Sequence, residues 1–105
     1  MAQFDVHRAR GAQRNGVPYV LIVQSKRFDS SGRRVVAPLL DAKLVQVSEA
    51  VLTPAFVVEG RNVVLNPLQI VSLPAGQLGD YVCSLESEGD RIIAAIDMLI
   101  SRAWH

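Results

Sequence analysis

The chain changes periodicity once, near Cys83, and that change limits its folds more than any other feature. Before it lie short β-branched runs separated by Gly, Pro, Asp and Ser; after it, apolar residues recur at helical spacing. The expected strands are Gln3 to Val6, Val17 to Val23, Arg33 to Leu40, Lys43 to Val47, Pro54 to Glu59, Arg61 to Asn66 and Gln69 to Leu73. The near-continuous run Val20-Leu21-Ile22-Val23 implies burial on both faces, and Pro18 holds the start of that strand at or just after itself. Arg33 to Leu40 is expected to end at Pro38 or just beyond, and Leu73 to Gly79 to form a loop. His7 to Gly16, rich in Arg, Gly, Gln and Asn, also reads as a loop. The sharpest hairpin signal is Val57-Val58 and Val63-Val64 around Glu59-Gly60-Arg61-Asn62. Beyond Cys83, Ile92, Ile96, Leu99 and Ala103, flanked by Ile93 and Ile100, form an apolar stripe for packing on a sheet. Ser87-Glu88-Gly89-Asp90 supplies a start signal, so one helix is expected from about Ser87 to about the C-terminus.

Such a pattern predicts a mainly β fold, a compact antiparallel sheet or partly open barrel, with one C-terminal α-helix. One hundred and five residues, half of them apolar, make a single domain spanning 1–105. A domain of this size buries only about two-thirds of its unfolded surface, so association with a second copy is a natural supplement. No segment reads as an export signal or reaches the ~20 apolar residues that span a bilayer, so a cytoplasmic location without membrane attachment is expected. Cys83 is the lone cysteine and is expected to be a small buried apolar side chain. No Cys or His cluster suggests a metal, and no cofactor is implied.

Net charge is only +1, which argues against nucleic-acid binding driven by the whole chain's charge. The distribution is uneven, +5 over residues 1–43 and −4 over residues 44–105. The basic half could dock an acidic partner or a phosphate backbone, or could merely coat a solvated edge. Catalytic signals are sparse. His7 and His105 stand near opposite ends of the chain with no adjacent nucleophile, Glu86, Glu88 and Asp90 are accounted for by helix capping, and no catalytic residue is assigned. Arg33 and Arg34, with Ser25 and Ser31 close by, could polarise a phosphodiester; equally, they could keep a hairpin edge soluble.

Val23-Gln24-Ser25, the turn Asp29-Ser30-Ser31-Gly32, and Arg33-Arg34-Val35-Val36-Ala37-Pro38-Leu39 together resemble the CcdB family, toxins of type II toxin–antitoxin systems that inhibit DNA gyrase. The opening Met1, Gln3, Phe4 and Val6, the stretch Leu73-Pro74 to Leu78-Gly79, and Ala95-Ile96-Asp97-Met98-Leu99 extend the resemblance over nearly the whole chain. It implies an SH3-like small barrel of the CcdB/MazF (Kid) type, a homodimer, and a CcdA-like antitoxin with an acidic tail. It also implies transcription regulation, in which the toxin meets operator DNA only through the antitoxin. In the family a terminal Trp-Gly-Ile binds the gyrase A subunit and traps the cleaved-DNA complex of this topoisomerase. Alignment puts Ser101, Arg102 and Ala103 at those positions, while Trp104 lies three residues further on, followed by His105. Three residues along a helix turn a side chain by about 300°, so Trp104 comes within about 60° of the family's tryptophan, roughly one turn further out.

Ser101, Arg102, Ala103, Trp104 and His105 are therefore the expected gyrase contact, with Trp104 as an aromatic anchor. Trp104 could instead pack back against Ile100. Arg8, Arg10, Arg14, Lys26, Arg27, Arg33 and Arg34 are the expected antitoxin contact. Two other readings stand beside this one: a MazF-like endoribonuclease working through Arg33 or Arg34, and a gyrase-inactive relative that retains only antitoxin binding.

Overall fold

The computed structural model describes residues 2–10, 17–45 and 51–101, the last without its side chain. Seven strands form one antiparallel sheet: β1 (Asp5–Arg8), β2 (Tyr19–Ile22), β3 (Arg33–Asp41), β4 (Ala55–Val58), β5 (Arg61–Leu65), β6 (Val71–Pro74) and β7 (Tyr81–Ser84). The order is β4-β5-β3-β2-β1-β7, with β6 also paired to β3. Among the described residues one α-helix, α1 (Gly89–Ser101), follows. The fold is a mostly β half-barrel with a C-terminal helix, as the periodicity predicts.

β3 organises the sheet because it is long enough to carry two partners along one edge. Arg33 to Val36 pair with β6, and Leu39 to Asp41 pair with β5. Pro38 lies where that edge passes from one partner to the other, so its missing N–H breaks no regular ladder, and its carbonyl accepts from Asn66 N at 3.1 Å. For this reason β3 runs through Pro38 to Asp41, one residue past the expected Leu40.

β2 is buried on both faces, as its unbroken apolar run requires. Tyr19 and Leu21 enter one cluster with Val6, Ala37, Leu39, Phe56, Val63, Leu65, Ile92 and Ala95. Val20 and Ile22 enter a second with Val36 and Leu78. The helix covers the first cluster through Ile92 and Ala95, while Ile96 and Leu99 are half-buried and Ile93 and Ile100 remain exposed. Cys83 is half-buried against the first cluster, and that burial pushes its thiol pKa up.

Several local expectations give way to tertiary context. His7 and Arg8 belong to β1, because β2 and β7 flank that strand and satisfy its backbone on both sides. Lys43 lies in a 3-10 turn (Ala42–Leu44), whose amide is captured by the Asp41 carboxylate; the rest of the expected strand, from residue 46, lies outside the described residues. Pro67–Gln69 is likewise a 3-10 turn capped by Asn66. β7 forms just beyond the expected Leu73 to Gly79 loop, in a stretch for which no element was expected, as an edge strand recruited by β1. Before α1 a 3-10 turn (Glu86–Glu88) intervenes, and the hydroxyl that accepts from its first amide is Ser84's, at 3.2 Å from Glu86 N.

Candidate functional site

The basic hairpin between β2 and β3 is built by the residues of its own motif. Gln24 donates to the carbonyls of Phe28 and Arg33 at 3.0 and 3.3 Å, and its side-chain oxygen accepts from Val35 N at 3.1 Å. Ser25 caps the 3-10 turn Lys26–Phe28 through Arg27 N, and Ser31 accepts from Arg33 N. Arg34 points inward and is only 7% exposed. Its guanidinium donates to the carbonyls of Ser31 (2.6 Å), Arg33 (2.8 Å) and Asp29 (2.8 Å). That arginine shapes the turn. Arg33 points the other way and clamps β6, donating from Nε to Ser72 Oγ and from Nη2 to the Ser72 carbonyl, both at 2.9 Å. Lys26, Arg27 and Phe28 are exposed on the same turn.

A second polar cluster lies across the sheet from residues distant in sequence. The β4–β5 hairpin closes through Glu59 and Gly60 with φ of 52° and 74°, the paired positive angles of a type I′ turn. Arg61 and Asn62 open β5, as the expected strand Arg61 to Asn66 has it, so the turn is tighter than Glu59-Gly60-Arg61-Asn62 and closes on Glu59 and Gly60 alone. Glu59 receives both Nη atoms of Arg8, at 3.0 and 2.7 Å, and the Tyr19 hydroxyl at 2.6 Å. Arg8 and Arg61 flank the Tyr19 ring at 6.0 and 5.9 Å from its centroid. Arg61 also donates to Asp41 at 3.0 Å, and Asp41 caps Lys43 N.

The donors set the ionisation of this cluster. Hydrogen bonds from Arg8 and then Tyr19 hold the Glu59 carboxyl below its usual range. The Lys43 amide, then Arg61, does the same to Asp41. Burial, reinforced by the bond to Glu59, pushes the Tyr19 phenol up. Sequence reasoning picked out Arg8 here but missed Tyr19, Asp41, Glu59 and Arg61. The Glu-Gly hairpin signal was visible; that its glutamate would face Arg8, 51 positions away, was not.

Of the other candidates, Arg10 donates to the Gly76 carbonyl at 3.3 Å and is exposed. Arg14 lies outside the described residues, as do Arg102, Ala103, Trp104 and His105. Ser101 ends the described part of α1. His7 is buried, its Nδ1 2.9 Å from the Gly79 carbonyl and its ring edge-on to Tyr81. Among the described residues no three metal-ligating side chains come together.

A family model described as "CcdB protein" matches residues 3–101, nearly the full length. The chain belongs to the CcdB family. Among solved structures, an endoribonuclease in complex with its cognate antitoxin, from a mycobacterial species, superposes with a TM-score of 0.77 at 18% identity, covering all of this chain and 99% of that one. At that identity the likeness establishes a shared fold. No curated protein matches. Within the CcdB-family motif, the geometry divides the work: Gln24 and Arg34 shape the hairpin, while Lys26, Arg27 and Phe28 are presented on it.

Proposed function

We propose that this CcdB-family protein is the toxin of a toxin–antitoxin system. It acts as a homodimer that binds the gyrase A subunit through the end of α1 and traps the cleaved-DNA complex. Residues Ser101, Arg102, Ala103, Trp104 and His105 make that contact, and Arg8, Arg10, Arg14, Lys26, Arg27 and Arg33 meet an acidic CcdA-like antitoxin. Arg34 contributes by holding the hairpin in shape. The toxin reaches operator DNA through the antitoxin, and both act in the cytoplasm. The match over residues 3–101 carries this reading. Two features support it: α1 retains exposed Ile93 and Ile100 after packing on the sheet, and the Lys26–Phe28 turn offers two cations and an aromatic ring to solvent.

An endoribonuclease reading is favoured by the shared fold with the mycobacterial endoribonuclease. Against it, Arg34, one of the two arginines on which that reading relies, is buried with its guanidinium bonded to three carbonyls of its own hairpin. The test is a cleavage assay with purified gyrase and plasmid. The full chain is expected to accumulate linear DNA, and a chain ending at Arg102 to leave the plasmid intact while keeping the same melting curve. Growth arrest with new messenger RNA ends and no double-strand breaks would replace this reading with the ribonuclease. Absence of any growth defect without the antitoxin would reduce the protein to an antitoxin-binding relative.

A further inference from the structure

Glu59 occupies a position that local backbone preference assigns to another residue. A type I′ turn wants Asn or Asp before its glycine, because those side chains tolerate the left-handed region that a longer one resists. Here a glutamate takes φ of 52° directly before Gly60. What compensates is its carboxylate, gripped in a two-point fork by Arg8 and capped by the Tyr19 hydroxyl. That is the geometry by which proteins recognise carboxylates from other molecules. A local rule broken in favour of a specific polar contact is a mark of functional sites.

The grip is exchangeable. Arg8 and Glu59 side chains are 50% and 40% exposed, so solvent screens their attraction, and either can swing outward without opening the core. Tyr19 cannot follow, being 1% exposed and anchored in the first cluster. Its hydroxyl therefore stays behind as a fixed donor that needs an acceptor. Arg61 has partners of its own, the Asp41 carboxylate and the Tyr19 ring, so its placement does not depend on Glu59. Beside them opens a cleft of about 430 Å³ lined by Asp41, Ala42, Lys43, Gly60, Arg61 and Asn62, with room for an incoming side chain. With Glu59 in place, Arg8, Arg61 and Lys43 against Glu59 and Asp41 leave a formal charge of +1; with Glu59 swung out, the remaining site carries +2.

We propose that Arg8, Tyr19 and Arg61 form a carboxylate-binding site whose resident ligand is Glu59, and that an acidic side chain of the antitoxin displaces Glu59 when it docks. This rests on the antitoxin reading above and deepens it, by placing a second docking point about the β4–β5 hairpin in addition to the Lys26–Phe28 turn. Glu59 serves as an internal competitor: it keeps the site formed and its donors satisfied in the free toxin, and it rejects chains that lack a carboxylate to offer in exchange.

The test uses the full-length protein with a fluorescein-labelled glutamate-rich peptide, the matching glutamine peptide and a uridine oligonucleotide, read by fluorescence anisotropy. Glu59→Asn removes the competitor and gives the hairpin its favoured Asn-Gly turn; Glu59→Gln is a second version should the first alter folding. Either is expected to tighten the glutamate peptide by about three- to tenfold and to leave the glutamine peptide unchanged. Arg8→Gln and Arg61→Gln are expected to weaken it by a similar factor. Glu88→Gln controls for charge, because it adds the same +1 and takes the ion-pair partner from Arg91, away from Glu59. Equal tightening by Glu88→Gln, no tightening by either Glu59 variant, or a larger gain for the oligonucleotide than for the peptide would overturn the proposal. None of these readouts depends on gyrase, so a failed cleavage assay and a failed displacement assay remain distinct results.

Discussion

Replacing Arg34 by methionine should destabilise the protein far more than the same change at its neighbour Arg33. The Arg34 guanidinium is buried at the mouth of the β2–β3 connection, where it joins the carbonyls of Asp29, Ser31 and Arg33 at 2.6–2.8 Å. Hydrogen bonds from a charged donor contribute about 1.5–3 kcal/mol each. They do not add fully here, because Ser31 and Arg33 lie on the exposed side of the turn and their carbonyls recover water when the arginine is removed. Methionine keeps most of the apolar stem, so the loss is confined to the head group. A net cost of about 2–4 kcal/mol follows, and for a domain of this size the melting temperature should fall by roughly 9–18 °C. Arg33→Met, which removes only the exposed clamp on Ser72, should cost less than about 1 kcal/mol. Urea unfolding of both variants measures the difference, and hydrogen exchange at the Ser31 to Val35 amides locates it. Arg34→Lys should recover little, since a compact ammonium lacks the two-pronged guanidinium whose Nη1 and Nη2 reach the three carbonyls. If Arg34→Met and Arg33→Met unfold within about 0.5 kcal/mol of each other, the claim that Arg34 is spent on the turn is wrong.

Gly79→Ala should be severe for a different reason: a Cβ there would lie 2.4 Å from the Arg8 carbonyl oxygen, a backbone atom that cannot rotate away. A loss of about 2–4 kcal/mol is expected, with exchange rising at the β1–β7 ladder. Gly89→Ala should be milder, because the nearest atom is Phe4 Cε2 at 2.9 Å, part of a ring that can shift, and alanine favours the helix; a change within about 1 kcal/mol by urea unfolding is expected. Acid should weaken the sheet through Glu59 and Asp41, both held below their usual range when folded. The unfolded chain then binds more protons, so their contribution is complete above about pH 5 and is lost as the pH falls through the folded values. Melting temperature against pH should show that decline, and Glu59→Gln should flatten it; a variant curve parallel to the parent's would contradict the assignment.

The readable parts of the chain were those governed by neighbours in sequence. Val20 to Ile22 announced a strand buried on two faces, the Val57 to Val64 stretch announced a hairpin, and Ile92 onward announced an amphipathic helix, because residue spacing alone sets which side chains share a face. Pro38, β7 and His7 were not readable that way. Whether Pro38 ends a strand depends on which partner lies against its missing donor, and Tyr81 to Ser84 becomes a strand only because β1 presents a free edge.

The candidate sites divide along the same line. Gln24, Ser25 and the glycine turn specify their own hairpin through contacts within about ten residues, so the sequence by itself determined where the basic turn would be and that arginines would lie on it. Only the tertiary structure decided that Arg34 faces inward and Arg33 outward, and that Arg8, Tyr19, Asp41, Glu59 and Arg61 meet. Those five come from four strands and a hairpin tip, and the charge that each one sees is fixed by sheet register, a long-range pairing that no short window of sequence contains.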